Sequence, residues 1–168
     1  MKNLKRILSL TLVVVSLVLL CACSATPTPS VSFGFKTTDA ASEYNESITA
    51  FEIGHVFYTC INVKINTDKK KPVDYKVVIS IPKTKDVEME KMGGLEPDSR
   101  VWDETQQTTT MTFTVRGSKE AVNEKIMFYG TPIGEGEATM TIHIYDEDGV
   151  EINAGYTRTV FFKYELQE

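Results

Sequence analysis

The chain has 168 residues, 42% hydrophobic and 24% charged, and carries 18 Lys and Arg against 23 Asp and Glu for a net charge of −5. An acidic surface repels polyphosphate, which argues against a nucleic-acid partner. Three cysteines are too few for a disulfide scaffold, while the length supports an ordinary hydrophobic core in one domain.

At the N-terminus Lys2, Lys5 and Arg6 make a basic start, and Ile7 to Leu20 runs apolar apart from Ser9, Thr11 and Ser16. Fourteen residues fall short of the roughly 20 that a spanning helix needs, and they suit the hydrophobic region of an export signal. The run ends in Leu20-Cys21-Ala22-Cys23, which resembles the lipobox of bacterial lipoproteins. In that family an aliphatic residue at −3 and a small residue at −1 precede a cysteine that is lipidated and becomes the new N-terminus. Leu20 and Ala22 take those places relative to Cys23; relative to Cys21, Leu20 would sit where a small residue belongs. The resemblance implies a signal peptide over 1–22, lipidation (diacylglyceryl, palmitate-type chains) at Cys23, and a location on the extracytoplasmic face of the bacterial cell membrane. Two or more acyl chains hold firmly, because each buried methylene contributes about 0.8 kcal/mol.

Cleavage there leaves 15 basic against 23 acidic side chains, a net charge of −8. The expected partners are the membrane, through the lipid, and a surface protein or glycan, with no nucleic acid. Residues 23–30 form the lipidated N-terminus and a Pro/Ser/Thr linker. Alternating prolines in Ser24 to Ser30 predict an extended spacer at about 3 Å per residue, with the first strand no earlier than Val31 because proline donates nothing to a sheet.

From Val31 to the end the hydrophobic period is two. Phe57, Thr59, Ile61, Val63 and Ile65 alternate with Tyr58, Cys60, Asn62 and Lys64, and Val73, Tyr75, Val77, Ile79 and Ile81 alternate with Asp74, Lys76, Val78 and Ser80. The pattern returns at Met111, Phe113 and Val115, and at Ala138, Met140, Ile142 and Ile144. It returns once more at Tyr156, Val160, Phe162, Tyr164 and Leu166, interrupted by Arg158. Weaker strands are predicted at 31–36, 48–53, 87–92 and 126–129. Turn residues at 68–72, 93–94, 134–136 and 146–149 separate them. One or two helical turns are expected at 39–46 and 118–123, neither with an apolar stripe long enough for a packed helix.

Gly134 to Gly149, GEGEATMTIHIYDEDG, resembles the late strand of bacterial immunoglobulin-like domains, and Val160 to Tyr164 resembles their last strand. This implies an all-β, immunoglobulin-like β-sandwich of about seven to nine strands over residues 31–168. It lacks the Cys…Trp…Cys core of antibody domains, since Cys60 has no partner.

Little catalytic chemistry is legible. His55 and His143 have no cysteine or carboxylate at ligand spacing, so no metal or other cofactor is expected. Asp146, Glu147 and Asp148 lack the regular spacing of a calcium loop and read as a solvated turn. Cys60 sits mid-strand as a small packed side chain, and no Gly-x-Ser-x-Gly elbow is present. Glu88, Glu90, Glu96, Asp98, Asp103 and Glu104 offer no pair that sequence can single out. No catalytic residue is assigned.

Binding has more material. Trp102, the only tryptophan, lies near Arg100 in a segment read either as an exposed connection able to stack a sugar or anchor a protein, or as a short strand with Trp102 covering one end of the core. Lys69, Lys70 and Lys71 make a basic tip. The expected function is a membrane-anchored, non-enzymatic envelope lipoprotein binding a surface protein or glycan through sandwich loops. The alternatives are a protease inhibitor on an immunoglobulin-like scaffold, though the Asn-Pro-Thr-Thr-Gly loop of chagasin-type inhibitors is absent, and an envelope enzyme.

Overall fold

The structure, a computed structural model, describes residues 26–39, 43–91 and 94–164. The expected signal peptide, Cys21, Cys23, Met92, Gly93 and Leu166 lie outside the described residues. Ten strands and no helix are present among those described: β1 (Thr28–Lys36), β2 (Ala50–Glu52), β3 (Phe57–Asn66), β4 (Val73–Pro82), β5 (Thr84–Met89), β6 (Ser99–Asp103), β7 (Thr108–Gly117), β8 (Glu124–Pro132), β9 (Gly136–Tyr145) and β10 (Tyr156–Lys163). A four-stranded sheet runs β1-β3-β8-β5 and a six-stranded sheet runs β2-β10-β9-β4-β7-β6. The fold is an all-β sandwich of two sheets.

The period-two faces meet between the sheets. Phe57, Thr59, Ile61, Val63 and Ile65 of β3, with Ile126 and Phe128 of β8, pack against alternate residues of β4, β7, β9 and β10. Each fully buried Val, Ile, Phe or Met contributes about 1.5–3 kcal/mol. At one end Phe35, Phe51, Phe57 and Phe162, each from a different strand, form an aromatic cluster with centroids 4.6 to 6.4 Å apart. It holds down β2, which has only three residues and is the parallel partner of β10.

Four expectations are corrected. β1 starts at Thr28, so Thr28-Pro29-Ser30 belong to a strand rather than to the spacer. Pro29 is tolerated because β1 is an edge strand whose one neighbouring strand is β3. Among the described residues of 39–46 and 118–123 no helical turn forms, and residues 40–42 lie outside the described ones: Asn45 instead pairs with Phe35 through reciprocal backbone bonds of 3.1 and 2.8 Å, and Ser118 bridges Asn66. The last strand stops at Lys163, leaving Tyr164 exposed rather than on the inner face. The ten strands go one beyond the expected seven to nine, the tenth being β6 at Ser99 to Asp103, where a short strand is one of the two readings.

Two connections shape the open side. β4 leaves the six-stranded sheet at Pro82, and β5 enters the four-stranded sheet at Thr84, so the chain changes sheets across Lys83 alone, at φ 53°. β6 and β7 form a hairpin whose Asp103 Oδ1 accepts from the Thr105 and Gln106 amides at 2.8 and 2.9 Å.

Candidate functional site

β6 is the outermost strand of the six-stranded sheet, and β5 is the outermost strand of the other. Arg100 and Trp102 are two residues apart and share one face of β6, opposite Met111 and Thr109 of β7. Both β5 and β6 flank the same open side of the sandwich. The Arg100 guanidinium donates to the Val87 carbonyl of β5, and Thr109 Oγ1 donates to the Thr84 carbonyl at 2.8 Å.

The Val87 carbonyl is free because β5 carries a bulge. Its register against β8 shifts between Lys85 and Glu88, with Asp86 at φ 50°. Bulges are frequent at sheet edges and release backbone groups from the ladder. Gly130 of β8 makes the close approach feasible: a Cβ there would lie 2.6 Å from Thr84 Cγ2 and 3.1 Å from Val87 Cγ2.

Between β5 and β6 lies an open groove of about 390 Å³, lined by Lys85, Asp86, Val87, Glu88, Arg100, Trp102 and Thr109. Val87 and Thr109 are buried, the four charged side chains are exposed, and Trp102 is half-buried. The Lys85 ammonium lies 5.7 Å from the indole centroid, within cation–π range. The indole N–H donates to Glu104. Thus the segment read as either an exposed connection or a short strand is a strand, and Arg100 and Trp102 sit on a sheet edge instead of a loop tip. The contribution of β5 was not legible, because bulge and crossover bring Lys85 and Val87 there from the other sheet.

The second cluster covers the outer face of the four-stranded sheet. Lys36 of β1 is buried, with its ammonium 4.9 Å from the ring centroids of both Tyr44 and Tyr58 and 3.8 Å from Glu90. Tyr44 donates to Glu90, and Tyr129 donates to Glu88 at 2.5 Å. Tyr44 packs over Gly34, where a Cβ would come 2.8 Å from its own. Cys60, the partner of Gly34 across the β1–β3 ladder, is therefore buried and free, although its position in the alternation places it on the outer face.

Burial, then the adjacent Glu90 carboxylate, pushes the Tyr44 hydroxyl far above its ordinary 10.0. Burial likewise raises the Cys60 thiol above 9.0. Both groups are neutral when protonated, so each favours folding more strongly as pH falls below its folded value only in the sense that the unfolded chain ionises first: the stability they contribute is present below their unfolded values and lost as pH rises past 9 to 10. Thermal melts from pH 8 to 11 should show a falling Tm, and Tyr44→Phe should flatten that fall; an unchanged slope would exclude Tyr44 as a source.

The remaining candidates have structural partners. His55 lies 3.2 Å from Glu52 and His143 lies 2.7 Å from Glu151, so each histidine has one carboxylate. Among the described residues no three His, Cys, Asp or Glu converge as metal ligands. Asp146 Oδ1 accepts from the Asp148 and Val150 amides at 3.0 and 2.9 Å, which makes it the organiser of its turn. Lys69, from the basic tip, is paired with Glu147 at 2.6 Å. Asp98 accepts from Thr114 at 2.9 Å.

No protein family model matches the sequence, and no curated protein is similar to it. Among solved structures the chain is similar to the CARDB domain of the PF1109 protein from Pyrococcus furiosus, a complex with di-metal ions, at 16% identity and TM-score 0.45, covering 80% of this chain and 89% of that one. It is also similar to BcpA, the major pilin subunit of Bacillus cereus, at 11% identity and TM-score 0.44, over 80% of this chain and 40% of the pilin. The C-terminal domain of the Streptococcus agalactiae antigen I/II polypeptide BspA gives 11% identity and TM-score 0.49, over 80% of this chain and 50% of that one. The chain therefore spans half or less of the length of the pilin and BspA chains it matches.

Proposed function

We propose that this protein is a lipid-anchored, non-enzymatic β-sandwich of the bacterial envelope that binds another surface component at the groove between β5 and β6. The observation that carries the binding role is the only tryptophan, half-buried at the wall of an open groove and flanked by Lys85 and Arg100. Large aromatics with a guanidinium beside them dominate recognition surfaces. The carboxylates near the groove have structural work: Glu88 holds Tyr129, Glu104 holds the indole, and Asp103 holds its own hairpin. The anchor rests on Leu20-Cys21-Ala22-Cys23 and the apolar run before it.

Fractionation tests the anchor. Cys23→Ala should release the protein to the soluble fraction or leave it unprocessed, and Cys21→Ala should do neither. Unchanged membrane retention and processing in Cys23→Ala would refute the assignment. For binding, the full-length protein in detergent micelles should capture an envelope component that a Trp102→Ala counterpart fails to capture; equal capture by both would move the site elsewhere.

A further inference from the structure

Resting on that reading, we infer that the β5–β6 groove takes a neutral, hydroxyl-rich glycan chain. The charges lining it cancel: Lys85 and Arg100 stand against Asp86 and Glu88. With Glu104 on the indole N–H as well, nothing in the groove favours an anionic ligand, and donors and acceptors lie side by side around an aromatic plane. A sugar ring has that complementarity, with an apolar C–H face for the indole and hydroxyls on its edge for the Lys85 ammonium and the Asp86 carboxylate.

Features of the same edge disfavour a protein occupant. Strand addition to β6 would meet only five residues, preceded by Pro97 and carrying Arg100 and Asp103, which are the devices that blunt an edge. A protein hot spot also needs a dry apolar centre. The apolar groups here are one indole and the buried Val87, surrounded by exposed charge. The groove is open instead of pocket-shaped, so it suits the interior of a chain. Lys85 covers the indole in the free protein; the incoming ring displaces it, and its ammonium then donates to a hydroxyl.

The single tryptophan makes the site its own probe. In the full-length protein in detergent micelles, neutral oligosaccharides built from N-acetylglucosamine or glucose should shift Trp102 emission saturably, with tetramers binding more tightly than monosaccharides. By calorimetry Trp102→Ala should weaken binding about tenfold or more. Val101→Thr, on the opposite face of β6, should leave affinity unchanged. A glycan array of neutral and acidic oligosaccharides widens the search, and tightest binding to acidic ones would overturn the inference. So would the absence of any neutral ligand while Trp102-dependent capture of an envelope component persists, an outcome under which the binding function stands and the sugar assignment falls.

Discussion

Phe57→Ala should lower the unfolding free energy by about 3–5 kcal/mol, the range for emptying a well-packed aromatic site. Phe57 is 1% exposed, with its ring 4.6 Å from Phe51 and 5.9 Å from Phe162. Phe57 belongs to the four-stranded sheet, while Phe51 and Phe162 belong to the other, so its removal opens a cavity between layers. β2 has three residues and one neighbour, so it depends on this packing more than on its hydrogen bonds. Urea unfolding gives the size of the loss, and hydrogen exchange should show the Phe51 and Ile53 amides, which face β10, losing protection first. A cycle with Phe162→Ala should yield about 0.5–1.5 kcal/mol of coupling. A loss below about 1 kcal/mol for Phe57→Ala would mean that the cluster does not bridge the sheets.

The core of the sandwich was legible because a strand with one wet face must alternate, and β3, β4, β7 and β9 do so over ten residues each. Three features were legible only in part, for identifiable reasons. β6 reads Ser-Arg-Val-Trp-Asp, an edge strand with an almost wholly exposed burial pattern, so its alternation has no oily half to detect. The first three residues of β1 hide behind Pro29, which only its edge position excuses. The burial of Cys60 comes from a third layer, Tyr44 and its neighbours folding back over Gly34, and no local pattern signals that return. The same holds for the candidate site. Arg100 and Trp102 are two residues apart and were visible as a pair, whereas Lys85 and Val87 reach them through a one-residue change of sheet and a bulge, both set by tertiary pairing.

Gly117→Ala should cost about 2–3 kcal/mol, the upper part of the range for forcing a carbon into a filled core. A Cβ at Gly117, the last residue of β7, would run into Tyr75 Cε2, lie 2.9 Å from Cδ2 and lie 3.1 Å from the Ile65 carbonyl. Tyr75 is 1% exposed and its hydroxyl has no hydrogen-bond partner among the described residues, so the ring occupies this corner for its volume. The origin of the cost can be separated from backbone preference. Gly149 has φ 78° and open space within 4 Å of where a Cβ would stand, so Gly149→Ala should cost about 1 kcal/mol through conformation alone. Gly117 carries no positive φ, which makes its penalty steric. In a Tyr75→Val background, where the ring is gone, Gly117→Ala should therefore cost less than about 1 kcal/mol, while Gly149→Ala keeps its full effect. An equal Gly117 penalty in both backgrounds would place the clash elsewhere and remove Tyr75 as the group that requires glycine at the end of β7.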